Sequence, residues 1–142
     1  MDITSFREEY FFLSNFYEAP VEFGGLRYLN NEAAFQAQKC MTEEEKFEFT
    51  FLPPAKAKRR GRQVKLRPDW EAVKTELMEK IVREKFRQNP QLAAMLINTG
   101  DRKLTEGNTW HDTFWGVDAS TGKGENNLGK ILMKIRDELK TS

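Results

Sequence analysis

Apolar residues recur at helical spacing most clearly between Asp69 and Gln88. Trp70, Val73, Leu77, Ile81, Val82 and Phe86 fall on one stripe there and predict a long amphipathic helix. A second stripe, Leu128, Ile131, Leu132, Ile135 and Leu139, predicts a last helix from about Asn126. Between them, Asn89-Pro90 is a cap followed by a first-turn proline, opening a helix through Leu92, Leu96 and Ile97 that Gly100 ends. The clear strand patterning lies near the start. Tyr10-Phe11-Phe12-Leu13 reads as a short strand, and Pro20-Val21-Glu22-Phe23 and Leu26-Arg27-Tyr28 as a hairpin turned by Gly24-Gly25. Asn30 and Asn31 offer an N-cap for a helix to about Lys39, and Thr42 with Glu45 forms a capping box for another that must stop before Pro53-Pro54. Pro54 opens a short helix that closes near Gly61, Lys103 to Glu106 reads as a short strand, and Asn108 to Glu125 is a long irregular segment. The expected fold is α+β and predominantly helical, with a small N-terminal β-hairpin. Without repeats or linkers, one domain over residues 1–142 is expected.

Composition narrows the classes of function. The longest aliphatic run, Ala93 to Ile97, is far too short to span a bilayer, so no membrane association is expected. The acidic, interrupted start Met1-Asp2-Ile3-Thr4 lacks the form of a secretory signal, and the lone Cys40 suits a reducing cytoplasm. With one cysteine and one histidine, a Cys/His metal cluster is excluded, and no metal or cofactor is expected. The net charge of +1 conceals Lys56, Lys58, Arg59, Arg60, Arg62, Lys65 and Arg67, a segment without an acid. Setting those seven aside leaves 16 basic residues against 22 acidic ones, a balance of −6. That distribution fits a local anion site or a solvated basic helix face, and argues against a protein that coats duplex nucleic acid by charge.

Candidate chemistry follows from where the acids fall. Glu32 occupies the first turn of a predicted helix, where a carboxylate either complements the helix dipole or stays ionised for a neighbouring ligand. Asp112 lies in the aromatic loop Trp110-His111-Asp112-Thr113-Phe114-Trp115-Gly116, and Glu106 ends a predicted strand. Paired carboxylates are what cleavage of a glycosidic bond requires, one for the cationic sugar and one for water or the leaving group. Gly122-Lys123-Gly124-Glu125-Asn126-Asn127-Leu128-Gly129 precedes a helix, so it either presents N–H groups to a phosphate or is an ordinary glycine turn. It is neither a Walker loop nor a dinucleotide fingerprint. Trp70 lies on an apolar stripe and is by default core.

In this order these words resemble the NADAR, or YbiA-like, family from about Phe12 to Leu139. The resemblance rests on Leu13-Ser14-Asn15-Phe16, Asn31-Glu32-Ala33-Ala34-Phe35-Gln36-Ala37-Gln38-Lys39, Arg59-Arg60-Gly61-Arg62 and Trp70-Glu71-Ala72-Val73-Lys74. It continues through Leu104-Thr105-Glu106, Asp112-Thr113-Phe114-Trp115-Gly116 and the glycine-rich run from Gly122. The resemblance implies a single YbiA-like domain and an N-glycosidase acting on ribosyl N-glycosidic bonds. Its substrate would be ADP-ribosylated guanine in DNA, or else a phosphorylated intermediate of riboflavin synthesis. A third reading is a non-catalytic ADP-ribose or nucleotide-binding module. The first reading carries a functional partner, a guanine-specific ADP-ribosyltransferase toxin. The resemblance further implies Glu32 and Asp112 as catalytic acids and Trp70 as a pocket ring. It sets Arg59, Arg62, Lys123, Gly124 and Asn126 against phosphates, with Asn15, Phe16, Glu106, Trp115 and Gly116 completing substrate binding. Relatives often carry Ser before the glutamate and a His-aromatic pair after it. Here Asn31, Ala33 and Ala34 stand instead, implying a wider pocket.

Overall fold

A computed structural model describes residues 1–142. The chain forms two compact units, Asn15–Asn89 and, separately, Met1–Ser14 with Pro90–Ser142. About half of the chain is helical, and the sheets are two-stranded.

The first unit opens with strands β1 (Val21–Phe23) and β2 (Leu26–Tyr28), antiparallel with Phe23 opposite Leu26. Gly24 and Gly25 turn the hairpin with φ of 59° and 86°, the pair of positive values a two-residue primed turn requires. Helix α1 (Asn31–Ala37) follows, capped by Asn30, whose Oδ1 accepts from Ala33 N at 2.7 Å. It is shorter than the sequence predicts. Gln38 and Lys39 donate their N–H groups to Phe35 and Gln36 three residues back, tightening the last turn and ending the helix. Helix α2 (Glu43–Glu48) has the expected Thr42 cap, with Glu45 N donating to Thr42 Oγ1 at 3.2 Å. A 3-10 turn, Phe49–Phe51, leads to α3 (Pro54–Gly61), which begins at the predicted proline.

Helix α4 (Trp70–Gln88) is the long element the periodicity predicts. Its buried line is Trp70, Met78, Ile81, Val82, Lys85 and Phe86, while Val73 and Leu77 are half-buried. The hairpin packs on this helix through Gln88, whose amide accepts from Glu22 N at 2.7 Å and donates to Glu22 O at 2.9 Å.

The second unit holds α5 (Pro90–Ile97) and α6 (Asn127–Thr141), which pack together, and a parallel pair β3 (Gly107–Asn108) and β4 (Val117–Asp118). Leu128, Ile131, Leu132 and Ile135 are buried as predicted, and Leu139 is half-buried. Two expectations change here. Tyr10–Leu13 is the end of a 3-10 helix, Glu8–Leu13, in which consecutive Phe12 and Leu13 are both buried; alternating strand geometry would turn one of them outward. Lys103–Glu106 contributes one bridge, Leu104 to Ile3, and the paired strand starts one residue after Glu106.

Candidate functional site

Helix α1 is buried on every side, although it carries Asn31, Glu32 and Gln36. Buried polar groups are costly unless something binds them, so this helix is where a site is to be sought. Glu32 is 8% exposed; its Oε2 accepts from Gln36 Nε2 at 2.7 Å, one turn on, and its backbone N–H donates to Asn15 O at 3.0 Å. Asn15 also accepts at Oδ1 from Asn31 Nδ2 at 3.3 Å, and its own Nδ2 points at Met78 Sδ at 3.4 Å. Asn31 Oδ1 is buried without a hydrogen-bond partner. Gln36 Oε1 is likewise buried without a partner, so the carboxylate sits in a frame of amides with two acceptors left open.

Lys39 adds charge beside it. Burial holds its amine below the usual lysine range, an effect that Glu32 opposes and that Arg62 and Lys74 reinforce. A carboxylate, a half-buried amine and two further cations therefore act on one another in this unit. Trp70 is 5% exposed, tilted against Phe35 at 5.1 Å between ring centres, with Lys39 Nζ 5.8 Å from its own ring centre. Such packing matches the core role expected of its stripe. Phe16 is half-buried beneath Lys58, 5.7 Å from its Nζ.

Of the seven basic residues from Lys56 to Arg67, Arg60 pairs with Glu48 at 3.0 Å and Arg67 with Asp69 at 2.7 Å. Lys56, Arg59, Arg62 and Lys65 are exposed and form no ion pair. Helix α3 lies on α1 through Gly61, where a Cβ would overlap Gln36 Oε1. Glu32, Asn15, Arg62 and Trp70 are thereby gathered in the first unit, and Gln36, Lys39 and Lys74 join them. The (i, i+4) spacing of Glu32 and Gln36 was a sequence signal for Gln36; nothing local marked Lys74.

In the second unit, Asp112 caps its own turn. Its Oδ1 accepts from the N–H groups of Phe114 at 3.0 Å and Trp115 at 2.9 Å, and Asn108 clamps its backbone in both directions at 2.9 Å. Trp115 is half-buried, edge-on to Phe114 at 4.7 Å. Glu106 is half-buried and uses its backbone on Asn126 Oδ1 and Val117 N, both at 2.9 Å.

Over residues 125–128 the glycine-rich run forms a turn bound to its own chain, one of the two readings the sequence left open. The N–H groups of Glu125, Asn126, Asn127 and Leu128 donate to the carbonyls of Thr113, Gly116, Phe114 and Trp115. Four amides thus stitch this run to the aromatic loop. Asn126, at φ 55°, places both ends of its side chain on backbone, at Glu106 N and Leu104 O. Close approach explains the glycines, since a Cβ on Gly124 would overlap Gly116 O and one on Gly116 would overlap Glu106 O. Lys123 is exposed, and its carbonyl accepts from Asp118 N at 2.8 Å.

One cluster was not foreseen from sequence. His111, at φ 63°, meets buried Asp118 at 2.7 Å from Nδ1 to Oδ2, while Ser120 donates twice to Asp118 Oδ1. Those bonds hold the Asp118 carboxyl down at about 2.

Comparison with known proteins agrees with this architecture. The NADAR domain profile matches residues 4–140. The N-glycosidase YbiA of Escherichia coli is 39% identical over 135 residues, covering 93% of this chain and 83% of that protein. The riboflavin biosynthesis protein VVA0006 of Vibrio vulnificus is 39% identical over 135 residues, 93% of this chain but 36% of its own length. The NMR structure of E. coli YbiA superimposes with a TM-score of 0.86 at 36% identity, covering 99% of this chain and 84% of that one. Relatives that match over most of the chain are named N-glycosidases, which sets the class as a glycosidase-type hydrolase. The chain belongs to the NADAR family. No helix in it is long and apolar enough to cross a membrane.

Proposed function

We propose that this chain hydrolyses the C1′–N bond of a phosphorylated ribosyl compound, and that its substrate is ADP-ribosylated guanine in DNA. The observation that carries the reading is Glu32, a buried carboxylate gripped by Gln36 at 2.7 Å beside the amine of Lys39. Breaking the C1′–N bond leaves the electron pair on the base and positive charge on the sugar. A fixed carboxylate in a water-poor frame stabilises that charge more than it stabilises the neutral substrate. Water then adds at C1′, one of its protons goes to the departing nitrogen, and the products are ADP-ribose and an unmodified guanine that stays in the DNA. Asn31 Oδ1 suits a sugar hydroxyl, which would satisfy its open acceptor. Lys56, Arg59, Arg62 and Lys65 offer more unpaired cations than one monophosphate would occupy, which favours a pyrophosphate on a nucleic acid.

A second reading takes a phosphorylated riboflavin-pathway intermediate as substrate. It is favoured by the names of the Vibrio relative and of an Arabidopsis thaliana relative, the riboflavin biosynthesis protein PYRR, 44% identical over 73 residues. Comparing kcat/KM on the two substrates decides between them: faster cleavage of the small intermediate removes the DNA reading. Under either reading, Glu32→Gln keeps shape and deletes charge, so turnover should fall about a hundredfold or more while ligand affinity stays nearly unchanged. Retention of more than about a tenth of activity would remove Glu32 from the chemistry. Asp112→Asn in the same assay tests the second acid that the family resemblance assigns.

A further inference from the structure

The segment between α1 and α3 displays two phenyl rings to solvent. Phe47 is 52% and Phe51 67% exposed, and the rings stand edge to face, 5.3 Å apart at 87°. Their backbone is firmly held: Phe49 between them is fully buried, Thr50 Oγ1 donates to Phe47 O at 2.7 Å, and Asn30 Nδ2 donates to Leu52 O at 3.1 Å. The pair is therefore a fixed display rather than a loose turn. Three residues after Phe51 the chain enters α3, which Arg60 ties back to α2 through Glu48. Lys56 and Arg59 on α3, and Arg62 and Lys65 after it, are all exposed and without ion pairs. Of the nearby acids, Glu43 is paired with Lys46 and Glu48 with Arg60, while Glu45 accepts from Thr42 Oγ1 at 3.0 Å and also acts on Arg60 of α3.

Fixed aromatic faces next to unpaired cations are the elements that bind single-stranded nucleic acid, rings stacking on bases and cations holding phosphates. In a duplex the base faces are already covered, so the rings would have nothing to grip. We infer that Phe47 and Phe51, with Lys56 and Lys65, form a binding track for single-stranded nucleic acid whose unpaired bases stack on the two phenyl rings. The inference extends the DNA reading above, but its binding chemistry stands apart from hydrolysis and can be measured without it.

The test is binding of a labelled, unmodified oligothymidylate and of a duplex of equal length across a salt series. The single strand should bind more tightly than the duplex. Phe47→Ala with Phe51→Ala should weaken single-strand binding by about tenfold or more, since each stacked base contributes on that order. Lys56→Ala with Lys65→Ala should flatten the slope of log affinity against log salt by about 1.4, roughly 0.7 per phosphate contact. Equal affinity for strand and duplex, unchanged binding by the phenylalanine variant, or no binding by the wild type would each overturn the track. So would loss of hydrolysis of a nucleoside-sized ribosyl substrate in a folded phenylalanine variant, which would assign the rings to the hydrolytic centre. A protein that binds the oligothymidylate as described but hydrolyses no ribosyl substrate keeps the track and loses the hydrolytic reading.

Discussion

A lysine removed from water gives up its proton readily, and Lys85 is 1% exposed on α4, with its Nζ 5.7 Å from the Tyr17 ring centre and 5.3 Å from that of Phe86. Burial pulls its amine down to about 7. Its folded value lies below that of the unfolded chain, so between about 7 and the ordinary lysine value of 10.5 the unfolded chain holds a proton that the folded one has released. Stability should therefore fall as pH drops through that window and level off below it. Lys85→Met keeps the volume and removes the charge, so it should raise stability at neutral pH by about 1–4 kcal/mol and abolish the slope above pH 7. Thermal melts at pH 7 and pH 10 check this; a lower Tm for the methionine variant at pH 7 would show that the amine is held by polar contacts worth more than its desolvation. The opposite case is Cys40, where burial raises the thiol to about 11 and leaves it protonated and inert at neutral pH.

At the scale of elements, the α1–α3 contact shows packing setting chemistry. Gly61 is buried against Gln36, the residue that grips Glu32. In Gly61→Ala the added methyl meets the end of a flexible side chain, so Gln36 can swing aside at a stability cost of about 1–3 kcal/mol. Glu32 then loses a hydrogen bond to a charged group, and turnover should fall about tenfold or more. The check is kcat beside Tm: unchanged turnover with a lowered Tm would make Gly61 purely a packing residue. Helices whose signals lie within a few residues were legible, α3 from its proline, α2 from Thr42 and Glu45, and α4 and α6 from their stripes. Tyr10–Leu13 was not, because a short apolar run fits a strand or a buried turn equally well until its neighbours are known.

Across the whole molecule, contacts between residues far apart in sequence carry much of the order. In the second unit Ile3 N donates to Lys103 O, and Thr105 N to Ile3 O, both at 2.9 Å, and Gly107 N donates to Thr4 O at 3.1 Å. Ile3 and Phe6 are buried alongside. Removing residues 1–6 deletes these bonds and two apolar side chains, each worth about 1.5–3 kcal/mol when fully buried. Truncation should lower Tm clearly and speed hydrogen exchange at the amides of Thr105 and Gly107. Unaltered exchange there would mean that the 103–107 segment holds without its N-terminal partner.

The sequence alone determined whatever rests on local rules: helical periodicity, caps, the glycine-turned hairpin, the basic segment and the candidacy of Glu32 beside Asn30 and Asn31. Tertiary structure decided what those residues face. It left Lys56, Arg59, Arg62 and Lys65 unpaired while giving Arg60 and Arg67 to acids, and it set Lys74 and Arg62 to act on Lys39 beside Glu32. It also clasped residues 125–128 of the glycine run as a turn, one of the two readings the sequence left open, because the carbonyls that accept from their amides belong to residues 113–116, ten to thirteen positions earlier in the chain. Helix propensity and capping act over one or two turns and can be read along the chain, whereas burial, ion pairing and amide satisfaction depend on which distant segments meet.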